Sequence, residues 1–211
     1  MNVLVTGAAG FIGSHLVERL LKDQHQVVGM DNFDPFYAKE IKLQNLKPLP
    51  AFSFYECSLF DREKLQAILA HHQIDSVIHL AARAGIRPSL HQREEYLKIN
   101  RDGTEELLKI CAVSSISKFV FGSSSSVYGD SKTSSFKETD PLSPPLSPYA
   151  ESKVEAEKLV QKYSKHFKSC HILRFFTVYG PRQRPDLAIS NFFQHNLRKE
   201  AITLYGDGSM Q

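Results

Sequence analysis

Tyr149 and Lys153 stand four residues apart in Tyr149-Ala-Glu-Ser-Lys153. On a helix that spacing puts a phenol and an ammonium on one face. A free phenol, with a pKa of about 10, is a poor base near neutrality. A nearby cation favours the phenolate, which can then take a proton from an alcohol. The pair therefore suits hydride transfer to or from a carbinol, provided a hydride carrier lies beside it. Gly7-Ala-Ala-Gly10-Phe11-Ile12-Gly13 offers the place for one. Gly7 and Gly10 remove side chains from the approach of a diphosphate to backbone amides at a helix N-terminus, and Gly13 lets that helix pack close to a sheet. The spacing is one residue wider than the usual Gly-x-Gly-x-x-Gly. A strand precedes it, a helix follows, and Asp31 ends the next strand. Asp31 is expected to accept hydrogen bonds from adenosine ribose hydroxyls and to repel a 2′-phosphate. No Arg occupies 32–34, so NAD is expected rather than NADP.

Two further groups belong to this chemistry. Ser123 to Ser126 lead into Val127-Tyr128-Gly129 at the end of a strand, where open parallel sheets bind ligands. A hydroxyl there can bridge a sugar hydroxyl and the phenolate. Asn100, in Asn-Arg-Asp-Gly-Thr, is a candidate for fixing backbone or water near the site. His79 reads as a strand histidine satisfied by backbone, not as a base, and it lies in no zinc motif.

The elements that must position these groups alternate. Strand 2–6, helix 11–22 and strand 26–31 are followed by a loop or short helix over 32–48. Then come strand 51–57, helix 62–72, strand 76–82, a long helix over 92–114 and strand 118–123. A Ser/Pro-rich loop spans 129–148, where Pro141, Pro144, Pro145 and Pro148 forbid a regular helix. Helix 149–166, strand 170–176, helix 186–199 and a last strand over 202–205 complete the pattern. Alternation of this kind predicts an α/β fold, a Rossmann-type doubly wound parallel sheet covered on both faces.

Of the 211 residues, 42% are hydrophobic, enough for one sizeable core. Net charge is +3 with the signs interspersed, which argues against a nucleic-acid partner. Cys57, Cys111 and Cys170 are odd in number and lack metal-ligand spacing. They are expected to be reduced and mostly buried, as in a cytoplasmic protein with no metal site. No signal peptide or membrane span is visible.

With these residues in view, the chain resembles the extended short-chain dehydrogenase/reductases of the NAD-dependent epimerase/dehydratase family along its whole length. The motifs are Thr6-Gly7-Ala-Ala-Gly10-Phe-Ile-Gly13, His79-Leu-Ala-Ala82, Asn100-x-x-Gly103-Thr104, Ser-Ser-Val127-Tyr128-Gly129 and Tyr149-x-x-x-Lys153. Within the family the pattern is most similar to the UDP-glucuronate 4-epimerases. The pointers are Asp31-Asn-Phe, His79-Leu-Ala-Ala-Arg-Ala-Gly85-Ile-Arg87 and Arg174-Phe-Phe-Thr177-Val-Tyr-Gly-Pro-Arg-Gln-Arg184-Pro-Asp186.

By position, the resemblance makes Tyr149 the base, Ser124 the catalytic hydroxyl and Lys153 the cofactor-orienting ammonium. It lays NAD against Gly7, Gly10, Phe11, Ile12, Gly13, Asp31, Asn32, Ser58, Leu59, Leu80, Ala81, Ala82, Asn100, Tyr149 and Lys153. A UDP-sugar would meet Arg87, Ser125, Ser126, Thr177 and Arg184. Acidic residues occupy the serine segment in 4,6-dehydratases and decarboxylating relatives. Uncharged Ser125 and Ser126 disfavour both reactions and, with Thr177, suit a substrate carboxylate. Many UDP-hexose epimerases carry Asn where Thr177 stands. The family usually has Asp at the position of Ser58, which would bond the adenine amino group more weakly. The resemblance further implies an NAD-binding domain over 1–180 and the beginning of a substrate domain over 181–211. That domain continues in relatives, so Ile189, Phe192, Phe193 and Leu197 are expected to present an apolar face. A homodimer is implied for the full-length form. UDP-glucose 4-epimerisation, sugar 4-keto reduction and an NAD-binding module of weak activity remain open alternatives.

Overall fold

The computed structural model describes residues 1–130 and 135–203. Val3, Leu4 and Val5 of β1 (Asn2–Thr6) are almost wholly buried, because this strand lies inside a sheet covered on both faces. The other strands are β2 (Gln26–Asp31), β3 (Ser53–Glu56), β4 (Ser76–His79), β5 (Lys118–Ser124) and β6 (Ser169–Phe175). All six pair in parallel in the order β3-β2-β1-β4-β5-β6. Successive side chains leave a strand on opposite faces. Val3, Val5 and Val27 accordingly meet Val17 of α1 (Phe11–Lys22) on one side. Leu4, Val28, Val77, Phe119 and Phe121 meet the other core, shared with α3 (Arg62–His71), α6 (Gly103–Ala112) and α7 (Pro148–Tyr163).

Several elements differ from their sequence-predicted bounds for identifiable reasons. Strands 51–57 and 170–176 are Ser53–Glu56 and Ser169–Phe175, and helix 62–72 ends at His71. The strand expected over 76–82 ends at His79: the Leu80 amide is shared between Thr6 O and Thr6 Oγ1, and the Ala81 amide goes to Thr6 Oγ1 alone. The helix expected over 92–114 is α5 (Arg93–Tyr96), a π-helical stretch Leu97–Asp102 and then α6. In that widened turn Asn100 is buried and bonds Arg83 on both sides of its backbone, a use of π-helix that recurs at functional sites.

Pro148 does not stop α7 but opens it. Proline tolerates the first turn, where its missing N–H has no partner to lose, and the Ser147 hydroxyl accepts from Ala150 N at 3.1 Å. Three residues of 3-10 helix, Ser164–His166, end the segment predicted over 149–166. The loop over 32–48 contains α2 (Lys39–Leu46), and α4 (Ile86–Ser89) follows β4.

The chain divides into a unit Met1–Phe176 and a second unit from Thr177 onward. The second contains α8 (Ala188–Arg198), predicted over 186–199, closed by Lys199 in the left-handed region at φ 57°. Helix α8 buries none of its residues, Ile189, Phe192, Phe193 and Leu197 included. Ile202 and Thr203 form no strand, and Leu204 and Tyr205 lie outside the described residues. Among the described residues no helix is long and apolar enough to cross a membrane.

Candidate functional site

Chain order reverses between β1 and β4: β2 lies on one side of the pair and β5 on the other. In open parallel sheets such a switch point opens a crevice at the C-terminal strand ends. One wall is the glycine loop between β1 and α1. Gly7 has φ +70°, and a Cβ there would lie 2.8 Å from Ala81 N. A Cβ on Gly13 would collide with Gly7 O. Gly7 thus closes the loop against the chain after β4, a role other than the expected clearance for a ligand. Gly10 provides that clearance. It caps α1 without a side-chain bond, and a Cβ there would meet only Gly7 O, at 3.1 Å. The first-turn amides of Phe11, Ile12 and Gly13 have no preceding helical carbonyls and form an anion cradle.

Asp31 is buried at the end of β2. Its Oδ1 accepts from Phe33 N at 2.8 Å and from Lys42 Nζ at 3.1 Å. Its Oδ2 accepts no hydrogen bond from the described residues and is free to receive ribose hydroxyls. Lys42, itself buried on α2, is a partner that the sequence does not reveal, eleven positions from Asp31 along an irregular stretch. Exposed Asn32 accepts from Asp34 N at 3.1 Å. Ser58 Oγ accepts from Phe60 N at 3.3 Å, beside buried Leu59. The open cradle and the free carboxylate oxygen fit a dinucleotide.

A neutral relay runs beneath the crevice. Thr6 Oγ1 accepts from two amides, so its own proton points to His79 Nδ1, 2.7 Å away. His79 Nε2–H then donates to Thr104 Oγ1 at 3.0 Å, and Thr104 donates to Asn100 O at 2.5 Å. The Asn100 amide donates to Ser152 Oγ at 2.9 Å, and Ser152 donates to Tyr149 O at 2.7 Å. His79 is therefore satisfied by threonine hydroxyls, not by backbone as expected. Burial, then the Lys153 charge, push its pKa down to about 3. Leu80, Ala81 and Ala82, half-buried, continue from it along the crevice.

Tyr149 and Lys153 share α7. Tyr149 is half-buried, its ring edge-on to Tyr96 at 6.3 Å. Lys153 is buried, and its Nζ donates to Gly122 O at 2.8 Å, two residues before Ser124 on β5. Burial lowers its pKa to about 8, opposed by Glu157. Ser124 Oγ receives Ser126 N at 3.2 Å and Ser126 Oγ at 3.0 Å. Ser125 is half-buried beside them. The fold thus brings the glycine loop, Asp31, Asn100, the serines, Tyr149 and Lys153 to one edge of the sheet. Arg87 lies on α4, exposed. Thr177 and Arg184 belong to the second unit, where Arg184 pairs with Asp186 at 2.9 Å.

Sequence reasoning missed Lys42, Ser152 and Glu157. Glu157 had a legible signal, one helical turn beyond Lys153. Cys57, Cys111 and Cys170 are free thiols; burial pushes Cys111 up to about 12, which makes it inert. Among the described residues no cluster of His, Cys, Asp or Glu could hold a metal ion.

Comparison with known proteins agrees with this geometry. Residues 3–211 match the model of the NAD dependent epimerase/dehydratase family. The chain is 45% identical to Uncharacterized UDP-glucose epimerase YtcB of Bacillus subtilis (strain 168), covering 99% of this chain and 66% of that protein. It is 39% identical to the UDP-glucuronate 4-epimerase of Thermodesulfobacterium geofontis, over 98% of this chain and 65% of the relative. Its structure is similar to UDP-glucuronic acid 4-epimerase from Bacillus cereus in complex with UDP-glucuronic acid and NAD, with TM-score 0.91 and 41% identity. That match covers 99% of this chain and 67% of the other. The chain spans slightly under two thirds of the length of these curated relatives.

Proposed function

Because the chain belongs to the NAD dependent epimerase/dehydratase family, we propose that it inverts C4 of a UDP-sugar, with UDP-glucuronate as substrate. The observation that carries this is α7: it holds Tyr149 and Lys153 one turn apart, with Lys153 bonded to Gly122 O beside the Ser124 strand end. When bound, NAD supplies the acceptor and later the donor of the C4 hydride, so inversion involves no net oxidation. The α1 amides would receive its diphosphate, Asp31 Oδ2 its ribose hydroxyls, and Lys153 the ribose nearer the nicotinamide. Tyr149 takes the proton of the C4 hydroxyl and later returns it. Ser124 hydrogen-bonds the same oxygen. Ser125 and Ser126 hold the substrate carboxylate, with Arg87 as a further contact. Residues 1–180 form the NAD-binding domain and 181–211 the beginning of the substrate domain. The free thiols support a cytoplasmic location. The homodimer rests on the family resemblance alone.

A second reading, UDP-glucose 4-epimerisation, is favoured by the name of the 45% identical relative. The test is turnover of both sugars by a protein carrying this sequence, followed by NMR, with calorimetry of NAD and NADP. UDP-glucuronate should be preferred about tenfold or more, the worth of one charge-assisted hydrogen bond. Tyr149→Phe should cost about 10²–10⁴-fold in turnover while sparing NAD affinity. Better use of UDP-glucose selects the second reading, and tighter NADP than NAD binding overturns the role of Asp31.

A further inference from the structure

Glu157 lies one turn beyond Lys153 on α7 and is 2% exposed. A carboxylate is rarely buried so deeply without paired and hydrogen-bonded partners. Three donors meet it. Ser123 Oγ donates to Oε1 at 2.5 Å, Arg174 Nε to Oε1 at 3.0 Å and Arg174 Nη2 to Oε2 at 2.9 Å. Arg174, on β6, also lies over the Tyr128 ring at 4.8 Å and donates to Glu138 O at 3.3 Å. Gly122, Ser123 and Ser124 are consecutive on β5. Lys153 holds the first and Glu157 the second, and the third is the candidate catalytic serine.

We propose that Glu157 is a positioning residue. Its carboxylate keeps Lys153 an ammonium and, through Ser123, locks the strand carrying Ser124 onto the helix carrying Tyr149. The proposal rests on the reading of Lys153 as the cofactor-orienting ammonium. The chemistry of the surroundings requires such a counter-charge. Lys153 is buried, 4.9 Å over the Phe121 ring, and its Nζ donates to a neutral carbonyl. Burial alone drives a lysine toward its neutral form, and Glu157 opposes that. Among the described residues, the other elements packed around Lys153 present no second anion that acts on it. On β4 is neutral His79, on the π-helical turn the amide of Asn100, on α7 Tyr149, and on β6 Arg174, a cation tied to Glu157. Glu151 of α7 is engaged by Arg93, on a more exposed face.

The test reads Lys153 directly. Lysine side chains labelled at Cε are followed by NMR across pH in the full chain, with Lys153→Met assigning the resonance. Glu157→Gln keeps the shape and removes the charge. The Lys153 midpoint should move about one pH unit or more below that of the unmodified protein, while Glu157→Asp stays close to it. NAD affinity at pH 8 should fall about tenfold in the Gln variant, as one charge-assisted bond is lost. If Glu157→Gln does not fold, the double variant Glu157→Gln, Arg174→Gln leaves no orphaned cation, and its Lys153 midpoint should lie below that of Arg174→Gln alone. A folded Gln variant whose Lys153 midpoint matches the unmodified protein, or a double variant whose midpoint matches Arg174→Gln alone, overturns the proposal. Failure of the protein to turn over any UDP-sugar leaves this titration intact and bears only on the function proposed above.

Discussion

Lys153 is flanked by two buried polar networks of opposite design. Toward β4, Thr6, His79, Thr104, Asn100 and Ser152 form a chain of neutral hydrogen bonds that ends on the backbone of Tyr149. Toward β6, Glu157, Arg174 and Ser123 form a charged cluster. The neutral side can fix geometry but cannot set charge. Its imidazole is held uncharged partly by the lysine itself. The charged side can do both, because a carboxylate in a poorly screened interior acts on neighbouring cations. The division suggests a design rule for such a site. The side toward β4 is kept neutral, and the counter-charge for the ammonium stands on the side toward β6.

The widest difference between the two sides should appear on truncation. Glu157→Ala leaves the Arg174 guanidinium, only 14% exposed, without its bidentate partner. Breaking a buried pair in this way costs about 3–5 kcal/mol. Urea unfolding should register a loss of that size. A loss below about 1 kcal/mol would mean that water reaches Arg174 freely, and the contrast between the networks would collapse.

The neutral side should announce itself through pH. His79 has a folded pKa near 3, below the ordinary histidine value of 6.5. Below pH 6.5 the unfolded chain takes up a proton that the folded chain refuses. Stability is therefore fully present above pH 6.5 and falls as pH drops toward 3, by at most about 1.4 kcal/mol per pH unit. His79→Gln lacks that titration, so its unfolding free energy should depend less steeply on pH between 6 and 4. Equal slopes in the two proteins would show that His79 gains its proton without leaving the fold.

The same contrast explains what was legible in the sequence. The sheet, the glycine loop and the Tyr149–Lys153 pair follow from local rules: buried apolar runs, a Gly-x-x-Gly-x-x-Gly turn and helical spacing. Boundaries failed where a side chain intervened. Thr6 ends β4 early, Asn100 sits in a widened π-helical turn that interrupts a long helix, and Ser147 with Pro148 starts α7 inside a proline-rich stretch. The networks themselves are non-local. Thr6 and His79 meet across 73 positions, and Asn100 and Ser152 across 52, so no periodicity brings them together. Lys42 finds Asp31 for the same reason.

The smallest effect is the sharpest comparison, because it uses one substitution in both networks. Ser123 and Ser152 are both buried hydroxyls, 4% and 0% exposed. Ser123 donates to a carboxylate at 2.5 Å; Ser152 accepts from the Asn100 amide at 2.9 Å. Bonds to charged groups contribute about 1.5–3 kcal/mol, neutral ones about 0.5–1.5. Ser123→Ala should thus lower the unfolding free energy by about 1 kcal/mol more than Ser152→Ala. The Ser152 change should act on geometry. Asn100 loses its tie to α7, so NAD affinity should change little while the Tyr149–Tyr96 contact loosens, readable as altered tyrosine ring resonances. Two equal stability losses would mean that Arg174 alone satisfies Glu157 and that the serine clamp adds nothing to the charged side.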